Sequence, residues 1–317
     1  MQRHDTWSGE ALVAAKRGRT VSVVIPARDE EPSVAHVVAG VREQWVERVG
    51  LVDEVVVIDS DSRDATAEVA RAAGAIVFSA KDIRPDLGPA EGKGEALWKA
   101  LHVVSGEVLV FLDADLVEWG PHFVSGLLGP LLTDDAVHLV KAVYDRPMLG
   151  PSGGEAEAGG RVTELVARPL LALHWPQLAG LVQPLSGEWA IRRTVFERCS
   201  VPMGYGVEIA AVIDIAERYG SDAIAQVDLE RRTHRHHQHD TLGPMAVQVL
   251  AAGESRLGWR TPDRRADHVT LVQFDRTAAG FVPNVRHPNI GERPPAWSTP
   301  GYRGRRDDEQ TGGRSWH

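Results

Sequence analysis

The chain has 317 residues, 43% of them hydrophobic, and 35 Lys+Arg stand against 44 Asp+Glu, a formal charge of −9. That composition excludes a disordered, collagen-like or disulfide-stapled protein and leaves one large α/β domain or two smaller ones. The acidic balance argues against a nucleic-acid partner, because binding a phosphate backbone needs a surplus of Lys and Arg on one face. The single cysteine, Cys199, permits no intrachain disulfide and points to a reducing, cytoplasmic setting. Residues 1–20 mix charges without an apolar core, and no stretch approaches the roughly 18 apolar residues needed to span a bilayer, so a soluble protein is expected.

In chain order, Val21-Ser-Val-Val-Ile25 is a short β-branched run, expected to form a buried parallel strand that stops at Pro26. Asp29, Glu30 and Glu31 follow, and Val34, Val37, Val38 and Val41 are spaced for one face of a helix starting near Pro32. Val55–Ile58 repeats the pattern, ending in Asp59-Ser-Asp-Ser62, with an alanine-rich helix that closes at Gly74 and a third strand over 75–78. A helical stretch around Trp98–Val104 precedes Val108–Leu112, which ends in Asp113-Ala114-Asp115. Strands alternating with helices imply βαβ crossovers and a mostly parallel sheet, in which a ligand sits beyond the carboxyl ends of the strands. Three strands here end in polar or acidic residues, and this locates the site.

Further along, His138–Tyr144 reads as a strand and Pro147–Gly160 as a mobile loop. Arg161–Leu173 and Val207–Tyr219 read as helices, and from about Val282 a poorly packed tail is expected.

Asp113 and Asp115 can present two carboxylates to a divalent cation that also grips a diphosphate, and Mg²⁺ or Mn²⁺ suits such oxygen ligands. The competing reading is a pair of solvated loop acids. Gly92-Lys93-Gly94-Glu95 puts a cation in a glycine-bracketed turn at a helix start, where backbone N–H groups also favour an anion. It is not a P-loop: Gly88 to Gly92 is one residue short, and Gly94 stands where Ser or Thr should be. Gly159-Gly160-Arg161-Val162-Thr163 sets an arginine and a hydroxyl at a helix start, suited to a phosphate or carboxylate, though an ordinary helix entry looks the same. The run from His234 through His239 holds four histidines; one could complete the carboxylate site as a nitrogen ligand, and spacing does not choose which.

Together these residues resemble the glucosyl-3-phosphoglycerate synthases, retaining glycosyltransferases of the GT-A fold that move glucose from UDP-glucose to D-3-phosphoglycerate. The resemblance runs from about Thr20 to Leu250. It is carried by Ser22–Ala27 with Asp29-Glu-Glu31, Gly92–Trp98, Asp113–Leu116, Gly126–Thr133, Val137–Lys141, Gly159–Leu171, Gln183–Leu185, Gly204–Ile209 and Asp222–Val227. It implies an α/β, GT-A type nucleotide-sugar-binding fold with a mostly parallel central sheet flanked by helices. The expected organisation is an N-terminal extension (1–20), a donor-binding half (21–145), an acceptor-binding half of the same domain (146–281) and a tail (282–317).

By the same resemblance, Pro26, Ala27, Glu30, Ser60, Lys93 and Asp113 contact the donor, and Asp115 and His234 hold Mg²⁺ or Mn²⁺. Gly160, Arg161, Thr163, Tyr205, Arg232 and His236 face the acceptor, while Asp113, Glu208 and Lys93 serve catalysis. A homodimer without nucleic-acid or membrane partners is also implied. Three departures bear on specificity: Arg28 stands where the family has an apolar residue, Ser186 replaces a glycine before Glu188, and His236 stands in place of an acceptor-binding asparagine. The alternatives are transfer from GDP-mannose or to glycerate, a nucleotidyltransferase, and a silent nucleotide-sugar sensor.

Overall fold

The computed structural model describes residues 1–145, 148–149, 155–156, 160–231, 233–234, 242–258, 269–277 and 280–302. Its strands begin with β1 (Gln2–Arg3), β2 (Val21–Ala27), β3 (Glu54–Asp59), β4 (Ile76–Ser79), β5 (Val108–Phe111), β6 (Leu116–Glu118) and β7 (Leu139–Asp145). A two-residue pair, β8 (Met148–Leu149) and β9 (Glu155–Ala156), follows, then β10 (Trp189–Arg192), β11 (Val201–Pro202), β12 (Ile224–Arg231) and β13 (Thr233–His234). The last are β14 (Leu271–Thr277), β15 (Gly280–Arg286) and β16 (Glu292–Arg293).

Eight of these form the central sheet in the order β1-β12-β7-β10-β5-β2-β3-β4. Only β10 runs antiparallel to its neighbours β5 and β7. The other pairings in that sheet are parallel.

The β-branched runs form strands because both faces of the sheet are covered. Alternate residues point to opposite sides. Val24, Val56, Ile58, Leu109 and Phe111 enter one core together with α4 (Lys93–Ala100), α6 (Arg168–His174), α7 (Arg193–Phe196), α8 (Val207–Tyr219) and α9 (Leu242–Arg256). Val23, Ile25, Val55, Val57, Val108 and Val110 enter the other, against α1 (Gly9–Lys16), α2 (Val34–Val41), α3 (Thr66–Ala72) and α5 (His122–Thr133). On α2 the four periodic valines are all fully buried. Trp98 on α4 and Trp189 on β10 are fully buried too, and truncating such a side chain to alanine costs about 3–5 kcal/mol.

The fold departs from the sequence expectations in four places. Strand β2 does not stop at Pro26 but continues to Ala27, with Pro26 opposite Ile58 of β3. Pairing with β5 ends at Val24, so the missing N–H of Pro26 falls where β2 has become an edge. Residues 1–20 are not an appendage: β1 pairs with β12, and a side chain on Gly129 of α5 would run into Trp7. Within the expected loop 147–160, β8 and β9 pair antiparallel.

The expected tail belongs to the fold as far as residue 302. Strands β14 and β15 form a hairpin, β16 pairs with β11, and Ala296 is fully buried. Trp98 Nε1 donates to the Pro294 carbonyl at 2.8 Å, and Tyr302 Oη donates to Glu197 Oε2 at 2.8 Å. Pro283 lies within β15 and Gly301 has a positive φ of 73° beside the anchor at Tyr302, so a Pro- and Gly-rich composition here does not mean an unpacked tail.

Candidate active site

Beyond the carboxyl ends of β2, β3 and β5 lies a cleft of about 740 Å³. Its wall includes Pro26 and Ala27 at the end of β2, Glu30 from the loop that follows, Ser60 after β3, and Asp113 and Asp115 after β5. Lys93 and Tyr205 reach it from the opposite side. The structure thus brings together eight of the residues singled out from sequence.

The loop geometry follows from local hydrogen bonds. Asp29 has a positive φ of 57° and accepts from the Arg63 amide at 2.7 Å, which joins the loops after β2 and β3. The Glu30 amide donates to Thr66 Oγ1 at 2.8 Å, and Ser33 Oγ donates to Glu30 Oε2 at 2.8 Å. Glu30 is thereby held at the rim.

Lys93 is the first residue of α4. Its Nζ lies 2.6 Å from Asp113 Oδ1 and 2.9 Å from Glu208 Oε1, with the lysine side chain 14% and the Glu208 side chain 5% exposed. Burial alone pulls the ammonium's pKa down, but the charges of Asp113 and Glu208 outweigh it, so the net shift is upward and the lysine stays charged. A buried cation is tolerated here because carboxylates flank it on two sides.

The turn that delivers Lys93 depends on its glycines. Gly92 has φ of 130°, and a Cβ on Gly94 would strike the Pro202 carbonyl oxygen. The Gly94 and Glu95 amides donate to the carbonyls of Gly204 and Met203 at 3.3 and 2.9 Å. Those two N–H groups therefore bond protein and not an anion, contrary to the expectation that the helix start would cradle one. Lys93 contributes its charge through the side chain.

Behind the site stand Glu188 and its neighbours, of which the sequence had singled out only Ser186, as a departure bearing on specificity. A side chain on Gly187 would collide with the Asp113 carboxylate, so the turn Ser186–Glu188 packs directly behind it. Glu188 is fully buried and accepts from Tyr144 Oη; Lys141, 1% exposed, donates to the Ser186 carbonyl at 2.7 Å. Asn289 and His287 also line the cleft, from the stretch expected to be a tail. The alternating apolar residues of 271–286 around Ala278-Ala279 were the available signal for that hairpin.

Tyr205, 38% exposed, is fixed by its amide, which donates to Gln248 Oε1 at 3.0 Å. Burial raises the pKa of its phenol, with Lys93 opposing the shift. Asp115 is 8% exposed, and β13 sets the backbone of His234 opposite Leu116, the residue after Asp115. Gly160, Arg161 and Thr163 do not line this cleft; Gly160 has φ of 107° and its carbonyl accepts from the Glu164 amide at 2.9 Å at the entry to the helical stretch. Arg232 and His236 lie outside the described residues.

Comparison with known proteins accords with this geometry. Residues 22–197 match the model of glycosyl transferase family 2, which defines a GT-A glycosyltransferase domain. The glucosyl-3-phosphoglycerate synthase of Mycolicibacterium smegmatis is 45% identical over 290 residues, 92% of this chain and 93% of its own. A crystal structure of the Mycobacterium tuberculosis glucosyl-3-phosphoglycerate synthase in complex with Mn²⁺, UDP and glucosyl-3-phosphoglycerate matches with a TM-score of 0.81 at 42% identity, covering 92% of this chain and 96% of that one. Another, in complex with Mn²⁺, UDP-glucose and phosphoglyceric acid, has a TM-score of 0.80 at 42% identity, covering 92% and 95%. The chain belongs to the glucosyl-3-phosphoglycerate synthase family. Among the described residues no helix is long and apolar enough to cross a membrane.

Proposed function

We propose that the protein transfers glucose from UDP-glucose to D-3-phosphoglycerate with retention of anomeric configuration, giving glucosyl-3-phosphoglycerate and UDP. The observation that carries this is Lys93 clamped between Asp113 and Glu208 on the wall of a cleft where the donor-binding positions converge. Kinship to enzymes solved with UDP-glucose and phosphoglyceric acid supports it.

In this reading Pro26, Ala27, Glu30 and Ser60 hold the nucleotide, and Lys93 and Asp113 face the diphosphate and sugar. Gly160, Arg161 and Thr163, with Tyr205, Arg232 and His236, receive the acceptor. Asp115 and His234 would hold Mg²⁺ or Mn²⁺: a buried carboxylate and a histidine adjacent in the β6–β13 pairing are hard and borderline donors of the right type. Among the described residues no group of three or more such side chains is poised for a metal, and a cation held by Asp115 and His234 would leave room for oxygen ligands from the donor. When bound, it supplies positive charge to the leaving diphosphate.

The bond from the anomeric carbon to the UDP oxygen breaks, and a bond to the acceptor hydroxyl oxygen forms on the same face. The hydroxyl proton passes to the departing phosphate. Lys93 stabilises the charge that develops there, and its place beside the carboxylates is prearranged. Glu208 is engaged with Lys93 and thus orients the sugar without becoming a nucleophile. A glycosyl adduct trapped on Glu208 would overturn that role.

A homodimer in the cytoplasm completes the reading. The test is UDP release from UDP-glucose with and without D-3-phosphoglycerate, with Mg²⁺, Mn²⁺ or EDTA, and with GDP-mannose as competing donor. Release that requires UDP-glucose, phosphoglycerate and metal together is expected. Release from GDP-mannose alone, or indifference to phosphoglycerate, would overturn it.

A further inference from the structure

Three residues, Pro89, Ala90 and Glu91, line the cleft between Gly88 and Gly92, and Lys93 follows at once. Both ends of this short loop converge on one side chain. Arg293 Nη1 donates to the Leu87 carbonyl at 2.8 Å, and Nη2 to the Gly88 carbonyl at 3.1 Å. On the far side of the loop, the same guanidinium meets the Glu95 carboxylate in a bidentate pair, Nε to Oε2 at 2.7 Å and Nη2 to Oε1 at 2.8 Å. Glu95 is 1% exposed, and the guanidinium lies 5.5 Å from the centre of the Trp98 ring.

The strand that carries Arg293 is itself tied to the other wall. Val201 of β11 pairs with Arg293, and β11 runs into Met203 and Gly204, whose carbonyls hold the first turn of α4. Arg256 secures the neighbouring Glu292 at 2.7 Å. Arg293 thus couples both anchors of the loop to the turn that presents Tyr205.

We propose that Arg293 is a positioning residue for the donor loop 89–92 and for Lys93, acting from outside the 22–197 segment that defines the family domain. The proposal rests on the reading of this cleft as the UDP-glucose site. A guanidinium suits the task because its planar fork reaches a carboxylate and two carbonyls at once, which a lysine ammonium cannot do with the same geometry. The loop is short enough that fixing its two ends fixes its path.

The test compares wild type with Arg293→Lys in three readouts: UDP affinity with Mn²⁺ by calorimetry, the separate KM values for UDP-glucose and D-3-phosphoglycerate, and amide hydrogen exchange over 87–92. The expected result is a rise of about tenfold in UDP Kd and UDP-glucose KM, the equivalent of about one charge-assisted hydrogen bond. Phosphoglycerate KM should stay within about twofold, and amide exchange over 87–92 should be faster, since what is lost is loop order rather than global stability. A folded R293K with wild-type UDP affinity, or with both KM values raised alike, would overturn the role. Should R293K not fold, Glu95→Gln weakens one anchor while leaving the Leu87 and Gly88 bonds, and unchanged UDP affinity in that variant overturns it equally. A wild-type protein that fails to bind UDP would refute the donor reading instead. Loop exchange, measured without ligand, would still decide the part played by Arg293.

Discussion

Replacing Lys93 by methionine removes one charge and leaves the buried Glu208 carboxylate without its cation. Its Nζ lies 2.6 Å from Asp113 Oδ1 and 2.9 Å from Glu208 Oε1, and the Glu208 side chain is only 5% exposed against 23% for Asp113. Water can resolvate Asp113 but not Glu208, so most of the cost falls on the glutamate. Breaking a buried pair from one side costs about 3–5 kcal/mol, because the remaining charge is left uncompensated. The missing cation should also weaken UDP binding by about 10–100-fold, the range of a charge-assisted hydrogen bond.

The decisive comparison is K93M against K93M/E208Q, using urea denaturation for stability and calorimetry for UDP. Neutralising the stranded glutamate should restore at least about half of the lost stability, because the penalty is chiefly that of an unpaired buried charge, yet leave UDP binding weak. The ammonium's pKa is raised above the ordinary lysine value of about 10.5, so its contribution is full below that pH and is lost only as pH climbs beyond it. The wild-type to K93M difference should accordingly stay flat from pH 7 to 9. If K93M costs less than about 1 kcal/mol, or if E208Q adds to the loss, the buried-triad account is wrong.

Three further outcomes are expected. Gly187→Ala pushes a methyl group into the Asp113 carboxylate and should cut kcat/KM by more than about tenfold, whereas Gly180→Ala, which meets nothing within 4 Å, should be silent in the same assay. Arg28 and Glu91 pair at 3.1 Å across the cleft mouth but are 45% and 76% exposed, so R28E or E91R alone should raise UDP-glucose KM by no more than about fivefold. The double swap should recover most of that loss, and high salt should erase the difference. His102 packs against Trp98 and Tyr302, and burial, aided by Arg84 and Arg193, lowers its pKa from 6.5 to about 4. A depressed folded pKa means stability that is present above pH 6.5 and lost as pH falls towards 4, so Tm should drop across that window, and more steeply than in His102→Asn. Parallel Tm profiles for the two proteins would refute this.

Much of the sheet could be read from sequence, because a parallel strand covered on both faces has to be a continuous β-branched run, as in Val55–Ile58 and Val108–Leu112. The cleft followed from the acidic ends of those strands, and Lys93, Asp113, Asp115 and Tyr205 do meet there. What stayed hidden depends on contacts between residues far apart in the chain. Glu188 looked ordinary because its burial against Tyr144 is set by the antiparallel strand β10, which no local pattern announces. Pro26 looked like a stop because its strand changes from interior to edge between Val24 and Ala27, and that change comes from the length of β5 rather than from β2. Asn289 and His287 were lost in a stretch whose composition suggested disorder, although Ala296 and Tyr302 anchor it in the core.

The ties between α4 and the stretch after β15 also govern when the protein comes into being. Glu95 and Arg293 are separated by 198 positions, and Trp98 and Pro294 by 196. During synthesis at roughly 5–20 residues per second, the helix bearing Lys93 waits at least about ten seconds for its partners to be made. Until then the emerging polypeptide exposes the apolar seat of Trp98, and the cleft lacks part of its wall. The cleft is therefore among the last features to mature, and any ligand that binds only the finished cleft would draw the late-made stretch into place by mass action.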